Sequence, residues 1–148
     1  MSVYTLPDHP AAARRAAGAV VFRRSLRGPQ LLVIASSELW DFPRGLIDPG
    51  EDEMAVARRE VLEQTGIATI EFPFDDASQE TLAWSLGEVT RYYIAETREE
   101  RVELPESLGD GRPGPDDYQW VSLEDADDVL PPRLAGVLDW VNRLLKTN

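Results

Sequence analysis

Residues 45–51 read Gly45-Leu46-Ile47-Asp48-Pro49-Gly50-Glu51, and residues 59–67 read Arg59-Glu60-Val61-Leu62-Glu63-Gln64-Thr65-Gly66-Ile67. Asp48-Pro49-Gly50 is turn chemistry, and Gly66 suits a helix end. A helix is therefore expected over about 52–65. At about 100° per residue, Glu53, Glu63 and Gln64 fall within roughly 60° of Glu60. Glu60 then neighbours Glu63 and Gln64 on the next turn, where like charges repel. Hard divalent cations such as Mg²⁺ or Mn²⁺ take several oxygen ligands and would relieve that repulsion. The chemistry on offer is metal held against phosphate. Carboxylates alone would more often make a solvated acidic face, the usual fate of a charge run. The glycine turn, Glu51 and the Arg59-Glu60 pair at fixed offsets favour the metal reading. Met54, Ala55, Val61 and Leu62 fall on the other side and are the expected apolar seat.

Other chemistries are poorly supplied. There is no cysteine, so thiol nucleophiles, thiolate metal sites and disulfides are excluded together. The single histidine, His9, lies in a proline-rich leader and reads as a turn residue. No serine has a histidine partner in an elbow-like context. The Gly-x-x-x-x-Gly-Lys phosphate loop is absent and Lys146 is the only lysine, which argues against a kinase or P-loop enzyme. Fifteen basic against 27 acidic residues give a net charge of −12. Such a chain does not bind nucleic-acid backbone non-specifically, and a polyphosphate would need metal ions to bridge it to the carboxylates. Charge is uneven. Arg14, Arg15, Arg23, Arg24 and Arg27 cluster in residues 14–27, a segment suited to steering an anion or to solubilising an edge strand.

These residues need elements to hold them. One domain over 1–148 is expected, with 1–16 a loose arm. Ala17 to Arg23 and Gln30 to Ser36 read as strands joined by a Leu26-to-Pro29 turn, an antiparallel hairpin. Trp40 to Gly45 should be extended, because the residue before Pro43 avoids helix. Strands are expected over Ile67 to Phe74, Thr81 to Leu86, Val89 to Ala95 and Tyr118 to Val121. Residues 99–117 form a long polar loop, functional or flexible. Ser122 with Asp125 should open a short helix near 123–129, and Leu134, Val137, Leu138, Val141, Leu144 and Leu145 recur at helical spacing. The order fits an α+β layered domain with a mixed sheet. No apolar stretch approaches the ~18 residues a membrane span needs, and no secretory leader is recognised, so cytoplasm is the default compartment.

The 45–67 segment resembles the signature box of the Nudix hydrolases. That box is Gly, five residues, Glu, seven residues, Arg-Glu-aliphatic, one residue, Glu-Glu, one residue, Gly-aliphatic, and eight of its nine fixed positions match. The departure is Gln64, where the family usually has glutamate. The resemblance implies an α/β/α sandwich and metal-dependent attack of water on phosphorus in a nucleoside diphosphate-linked substrate. It implies metal binding by the Gly45 carbonyl, Glu60, Glu63 and the position of Gln64. It further implies that Arg59 orients a glutamate, that Glu51 fixes the loop, that Gly66 is structural, and that Arg44 can touch phosphate. The base would be Glu60, Glu63 or a loop glutamate. Residues 16–23, Trp40 to Gly45, and Tyr92-Tyr93-Ile94-Ala95-Glu96 look like the asymmetric diadenosine tetraphosphate hydrolase branch, where a strand tyrosine, here Tyr92, helps hold adenine. Glu88 replaces a basic residue common in that branch. Gly114 replaces an acidic one, with Asp116 and Asp117 close by. Other pyrophosphohydrolases of the fold, acting on nucleoside triphosphates, nucleotide sugars or RNA 5′ ends, are the alternative substrate classes. A non-catalytic nucleotide sensor is the alternative outside the enzymes.

Overall fold

The computed structural model describes residues 14–83 and 87–146. Its strands are β1 (Arg14–Ser25), β2 (Gly28–Ser36), β3 (Leu39–Asp41), β4 (Arg44–Leu46), β5 (Ser78–Ala83), β6 (Glu88–Glu96) and β7 (Asp117–Ser122). Its α-helices are α1 (Glu53–Thr65), α2 (Leu123–Val129) and α3 (Ala135–Lys146), with a 3₁₀ turn at Pro132–Leu134.

β1 is central, and residues 16–22 are buried on both faces, which is why they run apolar or small without alternation. β1 pairs in parallel with β6 from Arg14↔Glu88 to Phe22↔Glu96, and β6 pairs antiparallel with β5. β1 meets β2 only near their turn, from Phe22↔Leu31 to Ser25↔Gly28. Further along the two strands part. There β1 takes β4 (Ala16↔Leu46 to Gly18↔Arg44), while β2 takes β3 (Ile34↔Asp41 to Ser36↔Leu39). The far edge of β2 is covered by β7. The segment Trp40 to Gly45 is thus a wedge set into the split between β1 and β2. Gly18 permits the fit, since a Cβ there would run into the Pro43 carbonyl and Arg44; Ala19 N–H donates to that carbonyl at 3.1 Å.

Helices cover both faces. Val20, Phe22, Leu31, Val33, Tyr92 and Ile94 pack beneath α2 and α3. Ala17, Ala19, Val21, Leu32, Tyr93 and Ala95 face Val56, Ala57 and Val61 of α1, and the small alanines let α1 lie close. This is the expected α+β arrangement, an α/β/α sandwich with a mixed sheet. No described helix is long and apolar enough to cross a membrane.

Several details depart from the sequence reading. Arg14 to Ala16 belong to β1 and not to a loose arm; residues 1–13, with His9, lie outside the described residues. Ile67 to Phe74 is not a strand. It makes one bridge, Glu71↔Glu96, and buries Ile67 and Ile70 as anchors. Pro73 has no N–H for a ladder, and Asp75 N–H closes a turn on the Phe72 carbonyl at 3.1 Å. β5 starts at Ser78, earlier than Thr81, and the end expected at 84–86 lies outside the described residues. Within the polar loop, Ser107↔Pro113 bridges, Leu108 N–H reaches the Arg112 carbonyl at 2.7 Å, and Gly111 N–H reaches Leu108 at 2.9 Å. That stretch is a folded finger.

The largest correction concerns α1. Its buried residues are Val56, Ala57, Glu60, Val61, Gln64 and Thr65. Leu62 is 49% exposed and Ala55 is also exposed. The helix is turned so that the Glu60–Gln64 face looks inward. Val61→Ala should therefore cost about 2 kcal/mol of stability, while Leu62→Ala should change it by less than about 0.5 kcal/mol. Urea melts of the two variants check this, and equal losses would refute the rotation.

Candidate active site

Asp52 starts α1 by accepting the Ala55 N–H at 2.9 Å. Gly66 ends it at φ 77°, its N–H donating to the Leu62 carbonyl at 2.9 Å. Ahead of the helix, Glu51 closes the Asp48-Pro49-Gly50 turn. One of its oxygens accepts the Asp48 N–H at 2.8 Å and the other accepts from Arg59. The Asp48 N–H, then the Arg59 guanidinium, hold the Glu51 carboxyl below its ordinary range. Arg59 also faces Glu60 at 3.4 Å and Glu63 at 4.0 Å, so one guanidinium serves three carboxylates. Its own pKa is raised, chiefly by the Glu51 hydrogen bond.

Glu60 is only 6% exposed. It sits against the backbone of Gly45 on β4, where a Cβ would occupy the space of the carboxylate carbon and both oxygens. Gln64, 7% exposed, donates from Nε2 to Glu60 Oε1 at 2.7 Å and to the Arg44 carbonyl at 2.8 Å. Both partners are acceptors, so the amide orientation follows from the network. What remains for a cation is the amide oxygen. Glu63 is partly exposed at the helix edge. The finger lies beside it, and a Cβ on Gly109 would be 3.7 Å from its carboxylate.

Two expected substrate contacts are placed differently. Tyr92 is fully buried. Its hydroxyl donates to Asp41 Oδ1 at 2.8 Å, and its ring meets Phe42 edge-on at 5.8 Å between centroids. No ring face is open to stack on adenine, because Tyr92 points into the core beneath α3. Burial, then the Asp41 charge, pushes its hydroxyl well above the ordinary tyrosine range. Arg44 also has partners within the fold, Asp41 at 2.9 Å and Glu88. Burial works against its charge, but Asp41, Tyr92 and Glu88 outweigh it and raise its pKa. Glu88, a departure from the resembled branch, is buried and also pairs with Arg14 at 3.2 Å.

The sequence reading missed Asp41 and Arg133, which donates to Asp41 Oδ2 at 2.6 Å. An i,i+3 pairing of Asp41 with Arg44, and an acid where a base is common at Glu88, were the available signals. Asp116 is engaged with the Ser37 N–H at 3.0 Å, and Asp117 with the adjacent Tyr118 N–H at 2.7 Å. Gly114 is required where it stands, because a Cβ would strike the Pro105 carbonyl.

Among the described residues no group of three or more His, Asp or Glu side chains forms a metal cage. The donors nevertheless suit a hard cation. All are oxygens, and the missing Cβ of Gly45 leaves a seat for the Glu60 carboxylate against the β4 backbone.

The NUDIX domain model matches residues 12–141. The chain belongs to this family. It is 30% identical over 126 residues to the mouse asymmetrical bis(5′-nucleosyl)-tetraphosphatase, covering 77% of this chain and 82% of that protein. It is 30% identical over 142 residues to an RNA pyrophosphohydrolase of Bartonella bacilliformis, covering 80% of each. A Caenorhabditis elegans Ap4A hydrolase binary complex superposes with a TM-score of 0.77 at 24% identity, over 92% of this chain and 100% of that one. The protein is thus a Nudix hydrolase, a pyrophosphohydrolase of nucleotide-linked phosphoanhydrides. The family generally requires a divalent metal.

The depressed pKa of Glu51 means that its stabilisation is complete above the ordinary carboxylate value of about 4.3 and is lost as pH falls through the lower folded value. The melting-temperature gap between wild type and Glu51→Gln should be constant above about pH 5.5 and close below about pH 4. A gap that persists in acid would refute the tie. In Gln64→Glu, a carboxylate would face the Glu60 carboxylate and the Arg44 carbonyl. Melting in EDTA should fall, most at neutral pH, and Mg²⁺ should restore more stability than it does in wild type. Identical melting in EDTA would mean that residue 64 does not face Glu60.

Proposed function

We propose that this single domain hydrolyses dinucleoside polyphosphates, such as diadenosine tetraphosphate, with Mg²⁺ or Mn²⁺. The observation supporting the catalytic reading is the burial of the Glu60 carboxylate against Gly45, with Glu63 one turn on. The likeness to the mouse asymmetrical tetraphosphatase over most of both chains supports the substrate.

In this reading the Gly45 carbonyl, Glu60, Glu63 and the amide oxygen of Gln64 hold the metal. When bound, it supplies neutralisation of phosphate oxygens and a lower pKa for an attacking water. Arg59 keeps Glu60 and Glu63 oriented. Glu51 keeps Arg59 in place and the Asp48-to-Glu51 turn closed. Glu63, being partly exposed, is the better placed of the two carboxylates to take a proton from water; Glu60 is enclosed. A second substrate reading, an RNA 5′ end, is favoured by the 142-residue likeness to the Bartonella enzyme. Against it stands the net charge of −12. Four arginines of the basic segment are also already paired, Arg14, Arg15, Arg23 and Arg24 with Glu88, Glu80, Glu100 and Glu96. They offer little free positive charge to an RNA backbone.

With diadenosine tetraphosphate and Mg²⁺, ion-exchange analysis should show ATP and AMP in equal amounts, formed faster than any product from nucleoside triphosphates, nucleotide sugars or 5′-triphosphorylated RNA. EDTA should abolish turnover. Glu63→Gln should lower kcat by about 10² or more with little change in melting temperature. Turnover in excess chelator, or near-wild-type kcat in Glu63→Gln, would overturn the mechanism. Faster release of pyrophosphate from RNA would replace the substrate.

A further inference from the structure

Asp41 accepts four donors. Phe42 N–H at 2.6 Å and the Tyr92 hydroxyl at 2.8 Å bind Oδ1, while Arg44 Nε at 2.9 Å and Arg133 Nη2 at 2.6 Å bind Oδ2. All four carboxylate lone-pair positions are thereby used. The hub lies on the α2–α3 side of the sheet, among Phe42 and Tyr92. The carboxylate face of α1 lies on the other side, yet the two sides share β4. Successive strand residues point to opposite faces. The Arg44 side chain therefore runs to Asp41, while Gly45 presents its bare Cα to Glu60. The Arg44 carbonyl accepts the same Gln64 amide that holds Glu60. The short β4 backbone carries a link from Asp41 to Glu60, by way of Arg44 and Gln64.

We propose that Asp41 is a positioning residue for the metal site: by clamping Arg44 it fixes the Arg44 carbonyl on which the Gln64 amide, and through that amide Glu60, is seated. This rests on the metal reading of Glu60 and Glu63 given above. Arg133 supports the hub from the 3₁₀ turn, donating to Asp41 and accepting from the Thr81 hydroxyl of β5, so it separates a local role from general loosening. Asparagine at 41 keeps the shape but cannot serve all four donors. Its oxygen can face one pair, and its own NH₂ must then oppose the other. With the oxygen kept on Phe42 and Tyr92, the Arg44 clamp is the one that is lost.

Two readouts test this. In EDTA, the Gln64 side-chain NH₂ should exchange slowly with solvent in wild type and about tenfold faster in Asp41→Asn. Loss of Mn²⁺ paramagnetic resonance signal on titration reports metal affinity without turnover. Asp41→Asn should raise the half-saturating Mn²⁺ concentration about tenfold, the size expected when an outer partner of a metal ligand is removed. Arg133→Gln should lower the melting temperature and leave both readouts near wild type. Asp41→Asn combined with Gln64→Ala should weaken Mn²⁺ binding no more than Gln64→Ala alone. Unchanged Gln64 exchange in Asp41→Asn, equal effects of Arg133→Gln, or additive effects in the double variant would overturn the proposal. If wild type takes up no Mn²⁺, the metal reading fails, and Gln64 exchange in EDTA alone decides the role of Asp41.

Discussion

The structure is organised around one expensive act, the burial of the Glu60 carboxylate. An ionised carboxylate taken from water is strongly destabilising unless its oxygens are paired. Here they are met by the Gln64 amide on one side and the Arg59 guanidinium on the other. Gly45 gives the carboxylate room, since any larger residue would displace it. These demands fix the rotation of α1 and leave Leu62 in solvent. They also require β4 to lie directly beside the helix, which an unbroken β1–β2 pairing would forbid. The split in the sheet and the wedge of Trp40 to Gly45 follow from the same requirement.

The wedge ties the two faces of the sheet together. On one side it meets α1; on the other it enters a network of Asp41, Arg44, Glu88, Tyr92 and Arg133. Three arginines that the sequence offers near a phosphate site, Arg14, Arg44 and Arg59, are paired with carboxylates, and of these Arg44 is the one largely enclosed, with Asp41 and Glu88. A buried ion pair of this kind adds little net stability over an apolar replacement. It does forbid alternatives, because moving either partner strands a charge. In the metal reading proposed above, where the site presents carbonyl and carboxylate oxygens to a cation, that intolerance of displacement is worth more than stability.

The layers of the fold were legible because they rest on local patterns. The apolar run of β1 and the heptad-like spacing of α3 announce themselves, and Gly66 marks the end of α1. The box residues were legible because the spacing from Gly45 to Ile67 is itself the signal. Three things were hidden. The rotation of α1 was misjudged because the acidic side was taken to lie away from the core, while here Glu60 and Gln64, paired with each other, turn inward onto Gly45 and the Arg44 carbonyl, which only the tertiary fold brings there. Tyr92 and Arg44 were read as substrate contacts, and both are satisfied across long sequence separations, to Asp41 and Glu88. Ile67 to Phe74 has strand composition, but Pro73 denies it a ladder. Patterns of type and spacing report which residues share an element; they do not report which of them already have a partner.

Gln64 carries the last consequence. At this position a glutamate would confront Glu60 at hydrogen-bonding range and would be tolerable only with a cation or a proton between them. Site formation would then be thermodynamically linked to metal binding. The amide breaks that linkage. Its NH₂ donates to both acceptors that a carboxylate would repel, so the seat for Glu60 is complete in the protein alone. In the metal reading proposed above, the compensation is one negative charge fewer for the cation, and hence weaker attraction. Geometry that no longer depends on metal is therefore obtained at the expense of affinity for it. Since the amide keeps its oxygen, the exchange alters the strength of the site and leaves its oxygen-donor character intact.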